Sequence, residues 1–234
     1  MSKRRIISVI SVMLSIFLLC NSSTAFAFSK TENYTVYNSG SDASTDLPEA
    51  YVTELITSVK NQGSQGLCWS FAAMGCLEAY LLNEGIGEYD FSEEHPNWWA
   101  LDDSNGYGWS GRMLGDGGWS EIPMGYLISW NGPVRESDVP YQDGANVFPE
   151  KFYSAPKEIG VTGIKLIDDD INEIKQAVIE HYAVSTSYNS RTYYYNDIRT
   201  AYYSPTVANP NEGHAICVVG WDDNFSKDNF GNSL

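Results

Sequence analysis

The sequence predicts an α+β fold, on three observations: a helical apolar period near residue 70, a second near residue 175, and strand-like runs that come later in the chain. From Cys68 to Asn83, the residues Cys68, Phe71, Ala72, Gly75, Cys76 and Ala79 fall on one face at helical spacing, and Gly85 offers a C-terminal stop. Most of that face is small, so another element can approach closely, which predicts a helix buried between two lobes. Cys76 is read as part of the packing stripe.

The second helix is expected from about 170 to 181, where "DDDINEIKQAVIEHY" places Ile171, Ile174, Ala177 and Val178 on one side behind a run of aspartates. Those aspartates suit a helix N-terminus as caps and electrically. A calcium site would need alternating loop ligands, which three adjacent carboxylates do not provide. Beyond the helix, "AVSTSY" (183–188) and "HAICVVGW" (214–221) read as strands. The tyrosine-rich stretch between them reads as further strand or cleft wall.

At the other end, Lys3, Arg4 and Arg5 precede an apolar run from Ile6 to Leu19 and a small-residue site at Ala25-Phe26-Ala27. This is the pattern of a secretory signal peptide, 1–27, and the run is too short for a membrane span. Residues 28–46 are polar, a linker or short pro-segment with too little apolar surface to fold alone. The compact part is expected to begin near Leu47-Pro48 and continue to 234. These features predict a secreted, extracellular protein with no membrane association after signal cleavage.

The formal net charge is −16, and the signal peptide holds basic but no acidic residues, so the mature chain is more acidic still. Such a chain repels phosphate backbones, which excludes nucleic acid as a natural partner. Beyond the signal peptide the cysteines are Cys68, Cys76 and Cys217, an odd count that argues for at least one free thiol rather than a disulfide framework. Neither they nor the histidines have metal-ligand spacing.

Cys68 stands where the glycine-containing loop "NQGSQGL" becomes a helix, a position whose unpaired N–H groups and dipole lower a thiol pKa. A base for it must be His95, His181 or His214. His181 ends a helix, where a cation complements the dipole, and His95 stands in a helix-start or loop context. His214 opens an apolar strand after a glycine-containing loop, so a rigid element would hold its imidazole. On that strand Cys217 points away from the His214 face and reads as a core residue.

Taken together, "VKNQGSQGLCWSFA", "FSEEH", "GDGGW" and "GHAICVVGWDDNFS" resemble the successive motifs of the papain family of cysteine peptidases, over about residue 47 to the end. The likeness is particularly close to bacterial members that carry a stretch like "DGGWSEIPMGYLISWNGPVRESDVPY". His214 follows Cys68 within the separation of about 130–150 residues shown by this family.

The resemblance implies a two-lobe fold: a helical lobe whose central helix starts at the nucleophile, and an antiparallel β-barrel-like lobe. It implies Cys68 as nucleophile, His214 as base and later acid, and Gln62 as side-chain donor of the oxyanion hole beside the Cys68 N–H. Gly117 and Gly118 would form the wall along which an extended peptide substrate lies. No cofactor and no metal are implied, and the partners are protein or peptide substrates. Ser92, Glu93 and Glu94 keep a structural reading.

Departures from the family pattern are also legible. The family usually pairs two cysteines as a disulfide where Gln65 and Gly115 stand here, and Leu67 replaces a small residue before the nucleophile, which is expected to crowd the cleft. The long pro-segment of many relatives is not found between the signal and Leu47. The family expects an orienting asparagine in an Asn-Ser-Trp segment, whereas this sequence stops at "SKDNFGNSL". The expectation is a catalytic domain incomplete at its C-terminus and lacking its final strands, with Asn232 as the alternative orienter. A peptide-binding fragment without catalysis and an aromatic-rich carbohydrate-binding module stay open as alternatives.

Overall fold

The computed structural model describes residues 47–101, 111–144, 146–204 and 213–230. Residues 1–46, with the expected signal peptide and linker, and Asn232 lie outside them. Residues 162–166 group apart from the large compact unit that holds all the elements below.

Helix α1 spans Cys68–Asn83, α2 spans Glu94–Trp99 and α3 spans Glu121–Ile128. The stop after α1 is the expected one: Gly85 takes φ +67°, and its N–H and that of Ile86 reach back to the carbonyls of Leu82 and Leu81. The small stripe of α1 is the side that meets strand β5 (Gly213–Val218); a Cβ at Gly75 would touch the Cys217 Cβ at 4.0 Å. The opposite side buries Trp69, Met74, Leu77 and Leu81, while Phe91, Ile122 and Tyr126 are buried in the neighbouring helical region. Helix α1 is therefore enclosed on two sides, which explains why it carries so few charges.

One charged group crosses this helical part. The Lys60 ammonium meets Glu78 at 2.8 Å, Asp90 at 2.7 Å and Glu93 at 2.9 Å, and donates to the Phe91 carbonyl at 3.0 Å. Glu78, buried inside α1, also accepts from the Thr57 hydroxyl and the Phe91 N–H, both at 2.8 Å. Burial pushes the Glu93 carboxyl up to about 7 despite the opposing pull of Lys60. Burial alone would lower the Lys60 pKa, but the neighbouring carboxylates prevail and raise it.

Helix α4 covers Ile171–His181, and the Asp170 side chain caps it by accepting from the N–H groups of Asn172 and Glu173 at 2.8 and 3.1 Å. Ala177 and Val178 are buried as expected, but Ile171 is 61 % exposed. At the first helical position its side chain projects beyond the packed stretch, and Lys175 is buried instead. The Lys175 ammonium pairs with Asp223 at 2.5 Å and lies 5.4 Å from the centre of the Trp221 ring, so its stem covers apolar surface.

All strand pairs described are antiparallel and form two-stranded sheets: β1 (Ala50–Val52) with β6 (Gly220–Asp222), β2 (Val184–Asn189) with β5, and β3 (Tyr195–Asn196) with β4 (Ala201–Tyr202). The single strand expected over 214–221 is two strands, broken at Val219. The Val219 carbonyl accepts from the Thr53 N–H at 2.8 Å, and β1 crosses so close to Gly220 that a Cβ there would lie 2.4 Å from the Tyr51 carbonyl oxygen. The chain thus changes partner from β2 to β1 at a position open only to glycine. The tyrosines of this region pack on one another, as in Tyr188–Tyr202 at 4.9 Å and Tyr193–Tyr194 at 5.3 Å.

His95 is buried at 2 % exposure, with Nδ1 on the Tyr126 hydroxyl at 2.8 Å, Nε2 on the Phe152 carbonyl at 2.9 Å, and its ring stacked on Phe152. Burial lowers its pKa to about 4. Because the folded value lies below that of the free imidazole, its contribution to stability is intact above about pH 6.5 and is lost as pH falls towards 4. The loss at the acid end is expected to reach roughly 3 kcal/mol. Urea unfolding from pH 7 to pH 4 checks this: His95→Gln should flatten the acid-side fall in stability relative to the parent, and parallel curves would contradict it. The raised Glu93 carboxyl acts in the opposite sense over the same range and is common to both proteins.

Candidate active site

Cys68 is the first residue of α1 and is half-buried, between Leu67 and Trp69, which are 0 % and 1 % exposed. The Leu67 carbonyl already receives the N–H groups of Ser70 and Phe71, at 2.9 and 3.1 Å. The N–H groups of Cys68 and Trp69 have no intrahelical acceptor and remain for another oxygen. Leu67, the residue before the thiol, is fully buried, and its side chain counts with the core.

The loop before Cys68 is fixed from several directions. Gln62 Nε2 donates to the Gln65 carbonyl at 2.8 Å, leaving the second amide N–H for a further acceptor. The Tyr141 hydroxyl donates to the Gln62 carbonyl, and the Tyr141 ring meets Phe71 of α1 edge-on at 5.1 Å. Asp143 accepts from the Ser64 N–H at 3.0 Å and the Ser64 hydroxyl at 2.8 Å. Gly63 takes φ +60°, and a Cβ there would lie 2.3 Å from the Asp143 carboxylate.

Gly66 and the 115–118 segment touch directly: the Gly66 N–H donates to the Gly115 carbonyl at 3.0 Å, and a Cβ on Gly66 would lie 2.8 Å from the Gly117 nitrogen. Gln65 and Gly115 also meet, with the Gln65 Oε1 3.2 Å from where a Gly115 Cβ would stand. The crossing that the family usually closes with a disulfide is held here by a main-chain hydrogen bond and by Gln65 Nε2 on the Gln142 carbonyl at 2.8 Å. Gly118 lies against Trp69, whose ring a Cβ would approach to 2.6 Å, while nothing stands within 4 Å of one at Gly117. Arg112 secures this segment, with NH2 on the Asp116 carbonyl at 2.8 Å and its guanidinium 5.0 Å from the centre of the Trp69 ring.

His214 lies near the start of β5, opposite Tyr188 of β2, whose ring it meets edge-on at 5.8 Å. It is half-buried, and burial lowers its pKa, favouring the neutral imidazole. A cavity of about 390 Å³ joins His214 to Gln62, Phe71, Ala72 and Gly75. The structure thus brings His214, Gln62 and the Phe71–Gly75 stretch of α1 to one cavity that Cys68 itself does not line, and Gly118 to the residue after Cys68. Among the described residues no hydrogen bond joins Cys68 to His214, and none is made by the His214 ring. His95 is remote in role: both its ring nitrogens are occupied in the helical core.

Tyr141, Asp143 and Arg112 hold the site in place and were not singled out from the sequence. "VPYQDG" and "GRMLGDGG" offer only turn composition as a signal, because the bonds span up to 79 positions.

Chemically, the candidates are a thiol at a helix N-terminus with the unpaired N–H groups of that helix's first turn, and an imidazole on the strand packed against the same helix. A sequence profile of papain family cysteine proteases matches residues 42–230. The chain belongs to the papain family. Solved structures agree: the clostridial cysteine protease Cwp84 after propeptide cleavage aligns with TM-score 0.71 and 37 % identity, over 79 % of this chain and 46 % of that one. Mouse procathepsin L is 28 % identical over 172 residues, 71 % of this chain and 47 % of that protein. Cathepsin L 1 of Paramecium tetraurelia is 32 % identical over 166 residues, 69 % and 46 % respectively. The chain therefore spans about half the length of the curated relatives it matches. Its α+β architecture is that of the papain-like fold, with α1 to α3 in the helical part and α4 with the strand pairs in the other.

The two neighbouring glycines of this papain-family site should respond differently to a methyl group. Gly118→Ala, driven into the Trp69 ring, should lose about 1–3 kcal/mol of stability, whereas Gly117→Ala should stay within about 0.5 kcal/mol of the parent. Equal urea midpoints for the two variants would refute this packing of the segment on Trp69.

Proposed function

We propose that this chain carries the catalytic machinery of a secreted cysteine endopeptidase that hydrolyses peptide bonds in protein or peptide substrates. The observation that supports this is a cavity lined together by Gln62, His214 and by Phe71, Ala72 and Gly75 of the helix that Cys68 begins. Cys68 Sγ attacks the substrate carbonyl, and the oxyanion is held by the Cys68 N–H and the remaining Gln62 amide N–H. His214 takes the thiol proton, delivers it to the departing amine, and then draws a proton from the water that releases the acyl group as a carboxylic acid. Gly117 and Gly118 present main chain to an extended substrate: Gly117 has no Cβ to keep it away, and the missing Cβ of Gly118 lets the segment seat on Trp69. No cofactor takes part.

Residues 1–27 act as the export signal and 28–46 as a polar lead into the domain that begins at 47. Extracellular placement accords with the similarity to Cwp84, described as a surface layer associated protein of Clostridium difficile. A second reading, a peptide-binding cleft without catalysis, draws on the lack of a hydrogen bond between Cys68 and His214 among the described residues.

Hydrolysis of a quenched peptide library separates the two. Catalysis predicts turnover that Cys68→Ala abolishes and that Gln62→Ala lowers by about a hundredfold or more in kcat, with little change in thermal stability. Binding without turnover in the parent protein would establish the second reading. Iodoacetamide near pH 6, where ordinary thiols are protonated, should label Cys68 ahead of Cys76 and Cys217. The Cys76 thiol in particular is held up by its hydrogen bond with Cys217 and by burial. Equal labelling of the three in the folded chain would remove Cys68 from the nucleophile's role.

A further inference from the structure

The remaining two mature cysteines, read separately from the sequence as packing residues, touch each other. Cys76, two turns along α1 from Cys68, and Cys217, three positions after His214 on β5, place their sulfur atoms 3.1 Å apart as free thiols. That is closer than ordinary sulfur contact and about 1 Å beyond a disulfide bond of roughly 2.05 Å. Gly75, the residue before Cys76, has no side chain to hold the strand away, and a Cβ there would stand only 4.0 Å from the Cys217 Cβ, so helix and strand approach closely beside the pair. Both residues are half-buried, and Cys217 lines the cavity, which gives a small reagent a route to the pair.

The geometry points to Cys76 and Cys217 as an oxidisable dithiol that closes to a disulfide, stapling the helix that begins with Cys68 to the strand that carries His214. The oxidant is a small-molecule disulfide such as oxidised glutathione. One protein thiolate attacks it and expels a thiolate, leaving a mixed disulfide; the second protein thiol, losing its proton, attacks the protein-side sulfur and expels the other half. Two protein S–H bonds and one small-molecule S–S bond become one protein S–S bond and two small thiols, so electrons and protons balance.

An exported chain meets oxidants that a cytosolic one does not, and the closed form joins elements far apart in sequence. It therefore restricts the unfolded chain strongly. The staple also fixes the spacing between the thiol-bearing helix and the imidazole-bearing strand at one end, leaving substrate access at the other. None of this depends on the chain being a peptidase.

The test uses the full chain with Cys20→Ala and Cys68→Ala, so that Cys76 and Cys217 are the remaining thiols and self-cleavage cannot occur. After incubation with oxidised glutathione, intact mass should fall by two hydrogens, peptide mapping should link Cys76 to Cys217, and the thermal midpoint should rise by roughly 5 °C and return on reduction. Adding Cys76→Ser should instead leave one glutathione on Cys217. Stable glutathione on both cysteines, two thiols still open to alkylation, or a lowered midpoint would overturn the proposal. The same mapping on the unaltered oxidised chain guards against a folding defect in the variant: a link between Cys68 and either partner, in place of Cys76–Cys217, would also overturn it.

Discussion

The Lys60 ammonium is the interaction on which the site's mounting depends. Two buried carboxylates, Glu78 within α1 and Glu93 just before α2, converge on it from different parts of the chain, and Lys60 stands only two positions ahead of Gln62. Removing Lys60 would leave Glu78 and Glu93 buried without a counter-charge, a cost of about 3–5 kcal/mol. The elevated Glu93 carboxyl shows how near the limit this arrangement lies: desolvation outweighs the lysine's attraction. What is gained is position. The strand of chain that leads into the Cys68 loop is bolted to the helix that begins with Cys68, so loop and helix cannot drift independently.

From that anchor the remaining parts acquire their places in turn. Tyr141 and Asp143 hold the loop from one side, and the glycine segment secured by Arg112 holds it from another. Helix α1 can serve both parts of the fold because its faces differ in size: bulky apolar side chains fill the helical core, and small ones admit β5. The same smallness that permits this approach sets Cys76 against Cys217. Close backbone packing and the sulfur contact are one geometrical fact.

Local patterns in the sequence were enough for α1, α4 and the strand β2, because period, cap and stop all lie within a few residues of one another. Asp170 as a cap and Gly85 as a stop are of this kind. The interruption at Val219 was hidden, since it is dictated by β1, a segment about 170 positions away that forbids a side chain at Gly220. Leu67 and Ile171 show the same limit from the other direction: a side chain's identity does not reveal whether a core beneath it has room. Cys68, His214 and Gln62 are proposed for the site from motif and spacing, whereas the contacts of Tyr141 and Arg112 and the pairing of Cys76 with Cys217 exist only after folding. A cysteine read alone on one helical face cannot announce its neighbour on a strand.

The crossing of Gln65 and Gly115 has a consequence for the conditions under which the loop keeps its shape. Where relatives use a covalent bridge, this chain relies on the Gly66–Gly115 main-chain bond and the Gln65 amide on Gln142. A free thiol such as Cys68 survives only in surroundings reducing enough to spare it, and those surroundings also threaten an exposed disulfide. Here the two demands are uncoupled. Reductant that preserves the sulfur leaves the hydrogen bonds of this crossing untouched, so the shape of the loop itself answers to heat and denaturant but not to redox potential.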